Sequence, residues 1–233
     1  MKEKLHALID AARKEEQRVL VPSVDDEPPP VAGQWTAKDQ LAHLTAWRVF
    51  AADELDANRT GDAMPDATIE EEVFNARTYA ETHGRPAAQI IAAARASWDR
   101  LSEAVDAASE EVLLKPRLRR PNQPQWQTVP NNTYYHVAEH LGYWYLDLGD
   151  EAGAERAAKW GYDLTVSTYP EERYVGVAEY NLACFYAKHG RAAEVAPHLK
   201  RALELRPDLR EWAKEDSDLD SVRSAEEVTE LLR

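Results

Sequence analysis

The chain is poor in four things, and each absence removes a class of protein. It carries one cysteine, Cys184, in 233 residues. An intramolecular disulfide needs two, so a disulfide-stapled secreted scaffold and a cysteine-rich zinc site are both excluded, and a reducing cytoplasm is the expected compartment. Basic residues are outnumbered, 28 Lys and Arg against 42 Asp and Glu, for a net charge of -14. A field of that sign repels phosphate backbones, so nucleic acid is not an expected partner. The densest basic stretch, Lys115-Pro-Arg-Leu-Arg-Arg120, is short and runs into Pro121, Pro124 and Trp126, which reads as a solvated loop. No apolar run is long enough to span a bilayer, and Met1–Asp10 interrupts its apolar positions with charge, so neither a membrane partner nor a signal peptide is expected. Alternating runs bounded by turn dipeptides are missing too, which leaves no strand pattern to compete with helices.

What is present is a helical period of about 3.6 residues. Leu5, Leu8, Ile9 and Ala12 mark a first amphipathic helix ending before Pro22. A proline-rich loop from Val24 to Gln34 leads to Thr36, whose hydroxyl with Asp39 three residues on predicts a capped helix from Ala37. Thr68-Ile-Glu-Glu71 repeats that pattern ahead of a shorter helix closed near Gly84, and Pro86 opens a long helix running to about Ala108. After a second proline-rich loop, Lys115 to Pro130, Asn131 or Asn132 caps a fourth long helix closed by Gly149. Four long helices over residues 1–150 predict an all-α, up-and-down four-helix bundle.

The fourth helix carries the chemistry. His136 and His140 stand four residues apart, so both imidazoles lie on one face within reach of a single cation. His43 on the second helix supplies a third candidate from a different wall, at the edge of the buried arc. Three histidines leave coordination positions open, which distinguishes a catalytic metal site from a closed structural one. The alternative is three boundary histidines satisfied by hydrogen bonds. Val137, Leu141, Trp144 and Leu148 form an ordinary core stripe, and beside it Asn132, His136, His140, Tyr143 and Asp147 form a polar one that a core alone does not need. Asp39 and Asn132, each one turn from a histidine, are candidates either to orient His43 and His136 or to cap their helices. Tyr143, Trp47 and Trp144 are candidates for a pocket mouth or for bundle core. Tyr143 and Asp39 are the candidate catalytic groups. His6, His83, His189 and His198 lack a partner at ligand spacing and read as surface residues.

Residues 151–233 change character. Glu179, Leu182, Ala183, Tyr186, Gly190, Val195, Leu199, Ala202 and Pro207 fall at the spacings of one tetratricopeptide helix-turn-helix unit, with helices before and after it to cover its faces. Cys184 lies inside this unit as a small buried residue.

Trp35-Thr36, Asp39, His43 and the His136/His140 pair resemble the DinB/YfiT-like superfamily of four-helix bundles over roughly the first 150 residues. Within it, Trp35-Thr-Ala-Lys-Asp-Gln-Leu-Ala-His-Leu-Thr-Ala-Trp47 looks most like the ClbS/DfsB branch. The resemblance implies a divalent metal, zinc or nickel, held by three histidines, and a thiol-dependent transferase, isomerase or hydrolase acting on a reactive or thiol-linked small molecule. Many relatives have glutamine three residues after the second histidine of the pair, where this chain has Tyr143. A metal-free hydrolase of the ClbS/DfsB kind and a non-catalytic binding protein are the alternatives. Besides the small-molecule substrate, a protein docked on the repeat-like segment and a second copy of the chain are the partners to test.

Overall fold

The computed structural model describes residues 1–233 apart from 28, 30, 32 and 33, which belong to the proline-rich loop expected between Val24 and Gln34. It divides into two compact units, Met1–Asp150 and Glu151–Arg233. Both are helical, and among the described residues the only extended pairing is an isolated bridge between Pro116 and Pro124.

In the first unit α1 (Lys2–Val19), α2 (Ala37–Thr60) and α3 (Glu71–Thr82) are followed by α4 (Ala87–Ala107), the short α5 (Glu110–Leu114) and α6 (Thr128–Asn131), and α7 (Tyr134–Asp147). α1 and α2 both pack on α4 and on α7, so the four long helices form a ring with α1 and α2 on one diagonal, while α3 lies against the outside of α2. α1 turns Leu5, Leu8, Ile9 and Ala12 inward as its periodicity dictates. α2 is the most enclosed of the long helices, with 17 of its 24 residues buried. It begins in the expected capping box: Thr36 Oγ1 accepts from the Asp39 amide at 3.2 Å, and Asp39 Oδ2 accepts from the Thr36 amide at 2.9 Å. Gly61, at φ 80, ends it in the left-handed region that a side chain would strain.

Two expected features are absent. Thr68 ends a 3-10 turn, Pro65–Thr68, and α3 starts at Glu71 without a side-chain cap, because that turn uses the backbone a capping box would need. On α7, Val137 and Leu141 are fully buried, but Leu148 is 60% exposed and Trp144 only partly covered. The helix ends at Asp147 and Gly149 turns the chain at φ 72, so its last turn clears the bundle.

Two ion pairs that sequence spacing does not announce lie inside the unit. Arg48 and Glu16 are 0% and 1% exposed, and Arg48 donates to both Glu16 oxygens at 2.6 and 3.3 Å, to Ser97 Oγ at 2.9 Å and to Thr45 Oγ1 at 3.2 Å. The Trp98 indole donates to Glu16 Oε1 at 2.8 Å, and the guanidinium lies 4.0 Å from the Trp98 ring centre. Burial pushes the Glu16 carboxyl up, with Arg48 and Trp98 pulling against it. The second pair corrects the reading of Lys115–Arg120 as a solvated loop. Arg117 is buried and donates to Glu54 Oε2 at 3.2 and 3.1 Å, and the Arg119 amide donates to Glu54 Oε1 at 3.0 Å. The loop is thereby tied to α2, and its central arginine is neutralised instead of being offered to an anion.

The second unit comprises α8 (Glu151–Thr168), α9 (Glu172–Lys188), α10 (Ala192–Leu205), α11 (Leu209–Glu215) and α12 (Glu226–Leu232). α9 and α10 form a hairpin through Gly190, at φ 66, and bury Leu182, Ala183, Tyr186, Val195, Leu199 and Ala202 between them and their neighbours. α8 covers α9, and α12 covers α10. Cys184 is buried there with Sγ 3.9 Å from Asp216 Oδ2, and burial together with that carboxylate pushes its thiol up to about 12. No helix among the described residues is long and apolar enough to cross a membrane.

Candidate metal centre

The facing of α2 and α7 brings His43, His136 and His140 together. Each offers a ligand atom, and these atoms lie within 4.8 Å of one another. Ring centres are 4.4 to 4.9 Å apart. His43 Nε2 and His136 Nε2 are 3.0 Å apart. Two nitrogens each about 2.0–2.1 Å from one cation stand about 2.8 to 3.4 Å apart at angles of roughly 90° to 109°, so this pair already has ligand spacing.

The third imidazole has a fixed partner. His140 Nδ1 lies 2.5 Å from Oε1 of Gln40, a buried residue in the first turn of α2. Donation from Nδ1 to that carbonyl leaves the Nε2 lone pair for a cation, the arrangement expected of a histidine held for coordination. Burial lowers all three: His43 to about 4, and His136 and His140 well below the ordinary imidazole range, where neighbouring positive charge adds to the effect. At neutral pH the three rings are therefore uncharged, the form in which imidazole binds metal. Boundary histidines satisfied by hydrogen bonds would describe His140, and in part His43 and His136, whose Nε2 atoms meet at hydrogen-bond distance. His43 Nδ1 and His136 Nδ1 are buried without a partner among the described residues, and a cation held through the two Nε2 atoms would leave them so.

The walls are aromatic. Trp35 stacks on His140 at 6.2 Å with 16° between planes and lies 5.2 Å from His43. Tyr79 stacks in turn on Trp35, and His83 on Tyr79. Trp47 meets His43 and His136 edge-on, donates its indole to Asn75 Oδ1 at 2.9 Å, and packs with Phe50 and Phe74, so it is both a wall of the site and core. Tyr143 is 43% exposed, stands perpendicular to His140 at 5.6 Å, and donates to Glu139 Oε1 at 2.8 Å, which places it at the rim. Trp144 makes its ring contact with Tyr145.

Of the two roles open to Asp39 and Asn132, orienting a histidine or capping a helix, Asp39 takes the cap, while the Asn132 side chain bonds Thr128. Asp39 Oδ2 accepts from the Thr36 amide and hydroxyl, and Oδ1 bonds His83 Nδ1 at 2.9 Å, so both oxygens serve the start of α2 and its tie to the end of α3. Asn132 ends α6, its side chain donating to the Thr128 carbonyl at 2.8 Å, and is not the N-cap of α7, which begins after Thr133. Gln40, which meets His140 instead, carries a local signal of its own: it is an uncharged polar side chain buried on α2, one turn before His43, where packing alone favours an apolar residue. Of the four histidines expected at the surface, His83 is bonded to Asp39, His6 to Asp106 at 2.8 Å and His198 to Glu179 at 2.6 Å. A cleft of about 780 Å³ between α2, α3 and α4 is floored by Phe50, Phe74 and Ile90 and does not include the three histidines.

No curated protein and no solved structure gives a significant match to the chain. Residues 17–140 match the family described as mycothiol maleylpyruvate isomerase N-terminal domain, a span that takes in Gln40 and all three histidines. The chain belongs to this family, a member of the DinB/YfiT-like helical superfamily.

Proposed function

We propose that the protein is a metal-dependent enzyme acting on a reactive or thiol-linked small molecule, as a hydrolase or a thiol transferase, with His43, His136 and His140 as the metal ligands. The observation that carries this is the convergence of three uncharged imidazoles from two facing helices, His43 and His140 buried and His136 half-buried. Zinc and nickel suit an all-imidazole donor set, and three protein ligands leave a position open for substrate. A cation held there makes a water or thiol reaching that position more acidic. Trp35 and Trp47 keep solvent from the imidazoles, and Tyr143 at the rim is the side chain best placed to meet a substrate. The thiol in the family's name, mycothiol, favours a low-molecular-weight thiol as co-substrate. The test is elemental analysis of protein purified without a metal-binding tag, followed by thiol consumption assays with electrophiles. About one zinc or nickel per chain supports the reading; failure to take up zinc, nickel or iron with micromolar affinity overturns it.

A second reading rests on the same 3.0 Å separation, which is also hydrogen-bond distance for a His43–His136 pair. It makes the protein a metal-free hydrolase of the ClbS/DfsB kind, and hydrolysis surviving exhaustive chelation selects it. The α9–α10 hairpin is proposed as a tetratricopeptide-like surface for a protein partner, and sedimentation of the full chain tests the homodimer.

A further inference from the structure

The three imidazoles are not held equally. His43 and His136 face each other through Nε2, and among the described residues the Nδ1 of each is buried without a partner. His140 alone has its second nitrogen fixed by the protein, and the partner comes from the opposite helix: Gln40 Oε1, on α2, reaches Nδ1 of a residue on α7. Both side chains are buried, Gln40 at 3% and His140 at 8% exposure, so water does not compete effectively for this bond. Trp35 stacks on the His140 ring and restricts its tilt, while the hydrogen bond restricts its rotation.

From this asymmetry we propose that Gln40 is the positioning residue of the site: it holds His140 in the Nδ1-protonated tautomer, with the Nε2 lone pair free for the cation, and so makes His140 the pre-organised ligand to which His43 and His136 add. The proposal rests on the metal reading above and deepens it. The choice of an amide has a consequence. Glutamine accepts the imidazole proton without adding negative charge, so three neutral ligands leave the full charge of a divalent cation acting on whatever enters the open position. A carboxylate at position 40 would make His140 a stronger donor and lower the net charge of the centre. Glutamine therefore gives up affinity for a more polarising cation.

The test uses the full chain, metal-free, with its histidines labelled by nitrogen-15. Long-range nitrogen–proton correlation spectra assign the tautomer of His140, and zinc affinity is then measured by competition with a chelating dye for wild type, Gln40→Leu and Gln40→Glu, with circular dichroism to check folding. The expected result is a protonated Nδ1 at His140 in wild type, zinc affinity about 10- to 100-fold weaker in Gln40→Leu, and affinity equal to or tighter than wild type in Gln40→Glu. If Gln40→Leu does not fold, the wild-type tautomer and Gln40→Glu still decide. An Nε2-protonated His140 in wild type, or unchanged zinc affinity in folded Gln40→Leu, overturns the positioning role while leaving the metal site intact. Wild-type protein that binds no zinc although His140 is Nδ1-protonated overturns the metal reading, and the positioning role with it.

Discussion

Replacing Arg48 with methionine removes one half of a charge pair that has no access to water. In the native protein the guanidinium makes two bonds to Glu16, one each to Ser97 and Thr45, and covers the Trp98 ring. Methionine restores much of the volume and none of the charge. Glu16, 1% exposed, then keeps the Trp98 indole as its hydrogen-bond donor among the described residues. Breaking a buried pair from one side costs about 3–5 kcal/mol, because the remaining charge is uncompensated. With a urea slope of about 2 kcal/mol/M, the unfolding midpoint falls by roughly 2 M. The cost depends on pH in a definite direction. Burial already pushes the Glu16 carboxyl above its ordinary 4.5, and loss of Arg48 removes an opposing influence. A carboxyl raised in the folded state contributes stability that is fully present below 4.5 and is lost as pH rises through the folded value. The deficit relative to wild type should therefore be largest at neutral pH and shrink toward pH 4, where Glu16 is protonated and needs no counter-charge. Urea titrations of both proteins at pH 7.5 and 4.5, followed by far-ultraviolet circular dichroism, measure this. A deficit below about 1 kcal/mol at pH 7.5, or one that grows on acidification, refutes the reasoning. Adding Glu16→Leu to Arg48→Met should recover part of the loss, since it removes the uncompensated charge but leaves the buried Trp98 indole N–H without its acceptor.

Three further outcomes are expected. His140→Ala abolishes stoichiometric zinc uptake and with it the zinc-dependent rise in melting temperature, whereas His189→Ala, at the end of α9, changes neither. Asp39→Ala lowers stability by about 0.5–2 kcal/mol through loss of the α2 cap yet leaves zinc uptake in place, measured by denaturation and dye competition; loss of the metal would restore Asp39 to the centre. Cys184, with its thiol pushed up to about 12, reacts with a disulfide reagent at pH 8 far more slowly than a free peptide thiol, and rapid stoichiometric labelling of native protein would contradict its burial.

How far the sequence could be read depends on whether the information is local. The helices are local: Leu5, Leu8, Ile9 and Ala12 repeat on one face, and Thr36 with Asp39 announces the start of α2. The approach of His43 to the His136/His140 pair was legible because i, i+4 spacing fixes one face and the bundle supplies the facing wall. Contacts between distant segments were not legible. Glu16 and Arg48 each look like a solvated charge in their own helix, and only the packing of α1, α2 and α4 buries them together. Arg117 reads as loop because Glu54 lies 63 residues earlier. Gln40 and Asp39 both precede His43 by about a turn, and helix phase alone does not say which of two adjacent residues meets α7. Leu148 fits the apolar stripe by spacing, but the bundle ends before it does.

α2 carries four attachments in fixed angular order: Gln40 and His43 toward α7, Arg48 toward α1 and α4, and Glu54 toward the Lys115–Pro124 loop. Each extra residue in an α-helix turns everything beyond it by about 100° and advances it by about 1.5 Å. A single insertion between His43 and Arg48 would swing the guanidinium away from Glu16 and the Glu54 carboxylate away from Arg117 at one stroke, while leaving the histidines untouched. One between Ser23 and Ala37, outside the helices, would leave the phase of α2 unchanged. Length variation in this fold should accordingly be tolerated in the connections and refused across residues 40–54, even where substitution of the same positions one at a time is survivable.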